Sequence, residues 1–564
     1  MRNFFWKNIL LTSSLLVFAL SGCASSSASG SKNAKVSTPS DQVFQEPKAK
    51  ALNSNRIPNG NSYYYYLLSK LDAYEGNLEN SLSHLEKAIK LNDHSSFLQE
   101  ERARQNVEAN RIDEAFDSIQ KAIQIDPKNE EAHLLLGKLY SVRKKSEEAV
   151  AQYEEAIRLD PKNEEAYSSL AREYILQKDF NRAIEVLLNL KKAVPDSITA
   201  SYYLGTIYSS FKKNYPKAIE AFQDILEDNP DETRALQALG QIYLEQNQLQ
   251  KALETYETLE KMTPDDTVTQ LRLGLLFYEM KNYEAAITSF KKILETNPNS
   301  DRVLYYLGVV YQTQNKDEVA LNFFKQVLPD SSFYKDAIIR IAMIDQDQNQ
   351  TEEAIKLIRK AIDQKKDIPE FYDVLGTLYS SQHNYDEAIK VLLEATRKFP
   401  QDDPLYFSLG VAYDKKGDFE ESMKMMRTVI ELNPKQASAL NYIGYSYAEK
   451  GIHLDEALDL VSKAAALRPK DGYILDSLGW VYFKRGDSTK ALHYLLKSDE
   501  LAPNEPTILE HLGDVFLSRG SHQKAQNFYQ RAIGIIEGRV HKESDDEEDL
   551  ARIKKKLSEQ LGFK

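Results

Sequence analysis

The sequence predicts an all-α fold, an α-solenoid of about fourteen helix pairs closed by a C-terminal helix. Three observations predict it. The segments HLLLGKLYSVRKKSEEAVAQYEEAIRLDPKN and TQLRLGLLFYEMKNYEAAITSFKKILETNPNS overlay without a gap, and self-similarity at a fixed period marks a repeat architecture. A small residue recurs as a marker at Ser69, Ala103, Gly137, Ala171, Gly205, Gly240, Gly274, Gly308, Ala342, Gly376, Gly410, Gly444, Gly479 and Gly513, in eleven steps of 34 and two of 35. Within each period the apolar spacing is helical, as in Leu136, Tyr140, Ala149, Tyr153 and Ala156, which gives two amphipathic helices joined by a polar turn.

The chain opens differently. Arg2 and Lys7 flank a positive start, and the apolar run from Ile9 to Leu20 is only twelve residues long. A bilayer crossing needs about 20, whereas a short apolar core behind a positive start and ahead of small residues is the build of a secretory signal. The tetrapeptide Leu20-Ser21-Gly22-Cys23 resembles a lipobox, the motif in which cysteine receives a diacylglycerol and the peptide is cut before it. This implies a signal over residues 1–22 and a lipidated Cys23, anchored by acyl chains worth about 0.8 kcal/mol per buried methylene. Ala24, where retained lipoproteins carry Asp, implies export to the outer membrane by resemblance to Gram-negative lipoproteins.

Residues 23–61 form the lipidated cysteine and a tether, rich in Ser, Ala, Asn, Lys and Pro without helical or strand period. With the chain's only cysteine lipidated, no disulfide forms within it. The net charge of −13 becomes more acidic still when Arg2 and Lys7 leave with the signal. Such a chain repels phosphate backbones, and the short run Lys554-Lys555-Lys556 does not offset this, so nucleic acid is excluded as a partner.

From 62 to 537 the repeats dominate. The marker is a close helix crossing; three residues later an aromatic usually follows, and twelve residues later another small residue, such as Ala149 or Ala286. Proline punctuates the turn to the next repeat in ten of fourteen, from Pro127 to Pro503. The extra residues of the two longer steps are expected in the turns FKKNYP and EKGIHL. This pattern resembles the tetratricopeptide repeat (TPR), which implies a right-handed solenoid. The first two repeats fit less well, with Asp72 and Asn106 at the aromatic position and Arg102 where Leu is usual. In the ninth, Asp345 replaces the aromatic and Pro329 shortens the preceding helix, a pattern open to two readings: a hinge, or a tolerated polar residue at a partly exposed position. Over 538–564, Ser544 to Glu547 make a capping box, and Leu550, Ile553, Leu557 and Leu561 an apolar stripe that covers the last repeat.

Catalysis finds little support. The nine histidines are scattered without metal spacing, phosphate loops are missing, and the calcium-like Asp345-Gln346-Asp347-Gln348-Asn349 fails at Gln350 and Lys356. No cofactor or metal is expected, and an enzyme's regulatory arm is the remaining catalytic connection. In TPR arrays the first helices line a concave groove, exposing positions three before and one after the marker. A carboxylate clamp would place Lys and Asn there, and no such pair occurs. Instead the candidates are aromatic and polar: Tyr202, Tyr305, Phe407, Asn441, Tyr445, Asp476, Trp480 and Phe483. Aromatic area with a few register-fixing polar groups suits a peptide groove; packing between neighbouring helices is the competing reading. The stretch from Asn441 to Trp480 resembles the late repeats of bacterial TPR lipoproteins. The resemblance implies a non-catalytic scaffold on the periplasmic face of the outer membrane, binding protein or peptide partners in envelope assembly. A pilotin-like helper of a type IV pilus or secretion channel, and a polysaccharide-export scaffold, are its rivals.

Overall fold

The computed structural model describes residues 61–539 and 546–560, and within them every regular element is helical. The signal, Cys23 and the tether lie outside these residues, as do Ser544 of the capping box and Leu561. Two compact bodies result, residues 61–289 and 290–560 of the described chain. Their boundary falls in the second helix of the seventh repeat, Tyr283–Thr296, rather than at the ninth.

Each repeat is a helix pair, as in Glu130–Val142 with Ser146–Leu159 and Gly472–Lys484 with Ser488–Leu501. First helices commonly begin at a side-chain cap: Asn129, Asn163, Ser197 and Asp471 each accept a backbone N–H from the first turn. Between the helices the chain takes a left-handed residue in all fourteen repeats, at Gly76, Gly417 or Gly486 but also at Asn110, Lys144 and His383. One αL residue reverses the chain after a helix, so the turn is fixed by geometry more than by glycine.

The small marker has a direct steric cause. A Cβ built on Gly137, Gly240 or Gly513 would lie within 2.7 Å of a ring carbon of Tyr153, Tyr256 or Tyr529, sixteen residues on. The second helix thus lays a large side chain across the backbone of the first, and only a small residue admits it.

The two longer steps are absorbed in different ways. The second stays in the turn, where Gly451 and then His453 are both left-handed before helix Leu454–Leu467. The first does not follow the expectation: Ile207–Phe211 forms a π-helical turn inside the first helix of the fifth repeat. An i→i+5 turn takes one extra residue without breaking the helix.

The atypical repeats also resolve. At the start, hydrogen bonds replace apolar contacts: Ser69, Ser81 and Gln105 form a buried network, Arg102 bonds Ser118, and Asp72 pairs with His84 at 2.6 Å. In the eighth repeat the second helix stops early, at Phe324, and Phe333 packs its ring on Tyr305 and Tyr306 at 5.3 and 5.7 Å. Asp345 is buried rather than partly exposed, and it lies with Asp347 inside helix Tyr334–Asp347. After the last repeat, helix Asp546–Gln560 buries Ile553, flanked by Leu550 and Leu557, against a core that includes Leu512, Phe516 and Tyr529.

Candidate functional site

Three of the eight predicted residues, Asp476, Trp480 and Tyr445, converge on a ninth, His511. Trp480 is buried, with its indole stacked on the imidazole of His511 at 4.0 Å and 14°, and on Phe483 at 5.1 Å. Asp476, one turn before Trp480, accepts from His511 Nδ1 at 2.9 Å, and Tyr445 leans on the same imidazole at 6.2 Å. Lys484 lies over the indole at 4.9 Å. Asn441 sits one turn before Tyr445, is buried, and its Oδ1 has no hydrogen-bond partner; neither has Trp480 Nε1. Tyr445 and Phe483 are half-buried.

The remaining three lie apart from this cluster. Phe407 is buried edge-on to Tyr442 at 6.1 Å. Tyr305 is buried among Tyr306, Phe324 and Phe333, with its hydroxyl accepting from Arg340 Nε at 3.1 Å. Tyr202, in the first body, is half-buried against Phe222 and under the Arg234 guanidinium. Trp480, Phe407 and Tyr305 are thus buried among neighbouring side chains, and Tyr445 and Phe483 keep accessible surface.

His511 was not legible as a site residue. It stands two residues before its marker, and that position packs on the preceding repeat: His511 on Asp476 and Trp480, Arg340 on Tyr305, Tyr442 on Phe407. The retrievable signal was the 35-residue offset from Asp476, one repeat step of 34 plus one position.

Beyond His511 the groove positions of the last repeat are acidic and already occupied. Arg552 of the C-terminal helix donates to both Glu510 oxygens, Nε at 2.9 Å and Nη2 at 2.7 Å. Lys556 reaches Glu510 and Asp514, each at 2.7 Å, and Tyr529 donates to Asp514 at 2.6 Å. Burial opposes the Glu510 charge, yet these two cations hold its carboxyl below the ordinary range. Asp373, another groove position, has the opposite balance. Burial pushes its carboxyl up to about 6, with Asp402 and Glu370 adding repulsion against the Ser408 hydrogen bond.

Sequence models of the tetratricopeptide repeat match residues 212–272 and 334–536, and a TPR repeat model matches 143–172 and 274–315. The helix pairs are tetratricopeptide repeats. Over 59 residues the chain is 42% identical to TPR repeat-containing protein PA4667 of Pseudomonas aeruginosa, and this stretch is 10% of either chain. The solved APC/C hetero-tetramer Cut9-Hcn1 is similar at 18% identity and TM-score 0.35, covering 81% of this chain and 90% of that one. Yeast Tom70 is similar at 13% identity and TM-score 0.34, covering 87% and 95%.

Burial opposes charge on His511, but Asp476, with Glu449 and Glu510 nearby, holds its pKa above the ordinary value. A raised histidine pKa gives stability that is complete below the unfolded value of about 6.5 and is lost as pH rises through the folded value. His511→Gln should therefore remove a fall in unfolding free energy that the parent shows on the alkaline side of pH 6.5. Denaturant titrations at pH 6 and pH 9 check this; equal losses in both proteins would mean His511 is not charged.

Proposed function

We propose that this chain is a lipid-anchored scaffold that holds protein or peptide partners in its TPR groove at the periplasmic face of the outer membrane, in assembly of an envelope complex. The observation that carries the binding role is the pairing of half-buried Tyr445 and Phe483 with the buried, unpartnered Oδ1 of Asn441 on consecutive first helices. Aromatic rings supply contact area at low entropic cost, and a fixed acceptor sets the register of an extended chain. His511 is buried, with Nδ1 bonded to Asp476 and its face under Trp480, and so joins the last two repeats behind these residues. The anchor is supported by Leu20-Ser21-Gly22-Cys23 behind a short apolar run. Among the described residues no helix is long and apolar enough to cross a membrane.

Cys23→Ser should move the protein from the membrane to the soluble fraction. A variant that still sediments with outer membranes in the absence of detergent would sink the anchor. The groove is tested by a photo-crosslinking amino acid at position 445 or 483, compared with one at exposed Lys390 on a second helix. Protein adducts formed at 445 and 483 but not at 390 support the groove, and equal adducts at all three overturn it.

A further inference from the structure

Three residues before the marker, four repeats place an acid in the groove: Glu100, Asp373, Asp476 and Glu510. Three of these hold a base of the chain's own. Arg104 Nε donates to Glu100 at 2.9 Å, His511 Nδ1 to Asp476 at 2.9 Å, and Arg552 and Lys556 both donate to Glu510 at 2.7 Å. Asp373, in helix Pro369–Ser381, has no such base. Its Oδ1 is buried without a hydrogen-bond partner, and the charges that act on it, Asp402 and Glu370, both repel. Glu370 is itself paired with Lys335 at 2.7 Å. A carboxylate oxygen buried without a donor is costly, and such a group in a folded protein marks a place where something else binds or reacts.

The following repeat also leaves room there. Two before its marker, a repeat commonly sets a large side chain on this position of its predecessor: His511 on Asp476, Tyr442 on Phe407, Arg340 on Tyr305. On Asp373 the equivalent residue is Ser408, which bonds the carboxyl but fills little volume. Asn441 is the other groove residue with a buried, unpartnered oxygen, and its equivalent is again a serine, Ser477. Each orphaned oxygen coincides with a small residue where other repeats supply a large one.

We infer that the protein partner held in the groove proposed above presents a lysine or arginine to Asp373. Charge selects that occupant. From the ninth repeat to the fourteenth, the positions three before and one after the marker hold four acids and no base. A long side chain with a cationic end fills the room left by Ser408 and supplies Oδ1 with its donor. Arg552 and Lys556 do the same for Glu510 from within the chain, so the last repeat already holds this chemistry. A register follows. Helices in contact lie about 8–10 Å apart, so Asp373 and Asn441, two repeats apart, are separated by roughly 16–20 Å. An extended chain rises ~3.3 Å per residue, which puts the base about five or six residues from the one at Asn441.

The test selects random peptides displayed on phage against the immobilised full-length protein. Recovered sequences should be enriched in Lys and Arg, and a recovered peptide should bind Asp373→Asn about tenfold or more weakly than the parent. Ser408→Arg, which supplies a base from the next repeat, should weaken it as much. Circular dichroism reports the fold of both variants, and if one is unfolded the other gives the reading. Peptides without enrichment in Lys or Arg, or with affinity unchanged in a folded variant, overturn the proposal. Tyr445→Ala with Phe483→Ala separates it from the groove on which it rests. Affinity lost there but kept in Asp373→Asn leaves the groove standing and sinks the cation site; the reverse keeps the cation site and sinks the groove. Recovery of no peptide counts against both.

Discussion

Trp480→Ala should destabilise the late repeats by about 3–5 kcal/mol, the range for truncating a large buried aromatic. Only 6% of Trp480 is exposed. Removing the indole strips the face of His511, leaves Phe483 without its stacking partner and takes away the ring under Lys484. The void cannot close easily, because helix Gly472–Lys484 is held at its start by Asp471 and at its marker by Leu495 against Gly479. Hydrogen exchange across residues 437–518, with circular dichroism melting, measures the loss. A cost below about 0.5 kcal/mol is what a surface position gives, and it would mean the indole is a ligand contact rather than a structural one. Tyr445→Ala, at a half-buried position, should cost less and act mainly on partner adducts.

Gly444→Ala should also destabilise, by about 1–3 kcal/mol, against the gain of about 1 kcal/mol that alanine normally brings to a helix interior. A Cβ at 444 would stand 2.3 Å from Val461 Cγ2 and 2.9 Å from the Ala457 carbonyl oxygen. Val461 has a stiff branched side chain and the carbonyl is backbone, so relief requires moving the second helix. Gly534→Ala is the matched control. It lies in helix His522–Glu537 with nothing within 4 Å of the added carbon, and should leave stability unchanged or higher. Parallel melts of the two variants check the pair, and equal behaviour would remove the steric account of the marker.

Most of the repeat architecture was legible because both its causes are local. The 34-residue phase follows from small residues at the crossings, and the helix limits from polar caps and turns, as at Asn129 and Lys144. The extra residue near 207 was visible in sequence, but its entry into the helix as a π-helical turn, rather than into the turn, was seen only in the structure. The groove was legible as a set of positions and not as a surface. Whether Trp480 or Phe407 faces solvent is decided by the side chain that the following repeat lays over it, His511 in one case and Tyr442 in the other. That depends on the angle between successive helices, which periodicity does not carry.

The C-terminal helix shows the same division. Its apolar stripe was evident from Leu550, Ile553 and Leu557, and so was its role as a cover. That Arg552 and Lys556 would seat on Glu510 and Asp514, some forty residues earlier, was not. By itself the sequence determined the repeat, its phase, its acidic balance and the Leu-Ser-Gly-Cys motif, because each is written in residues near one another. Only the tertiary structure decided which groove residues are exposed and which charges are paired, because burial is set by neighbours a whole repeat away.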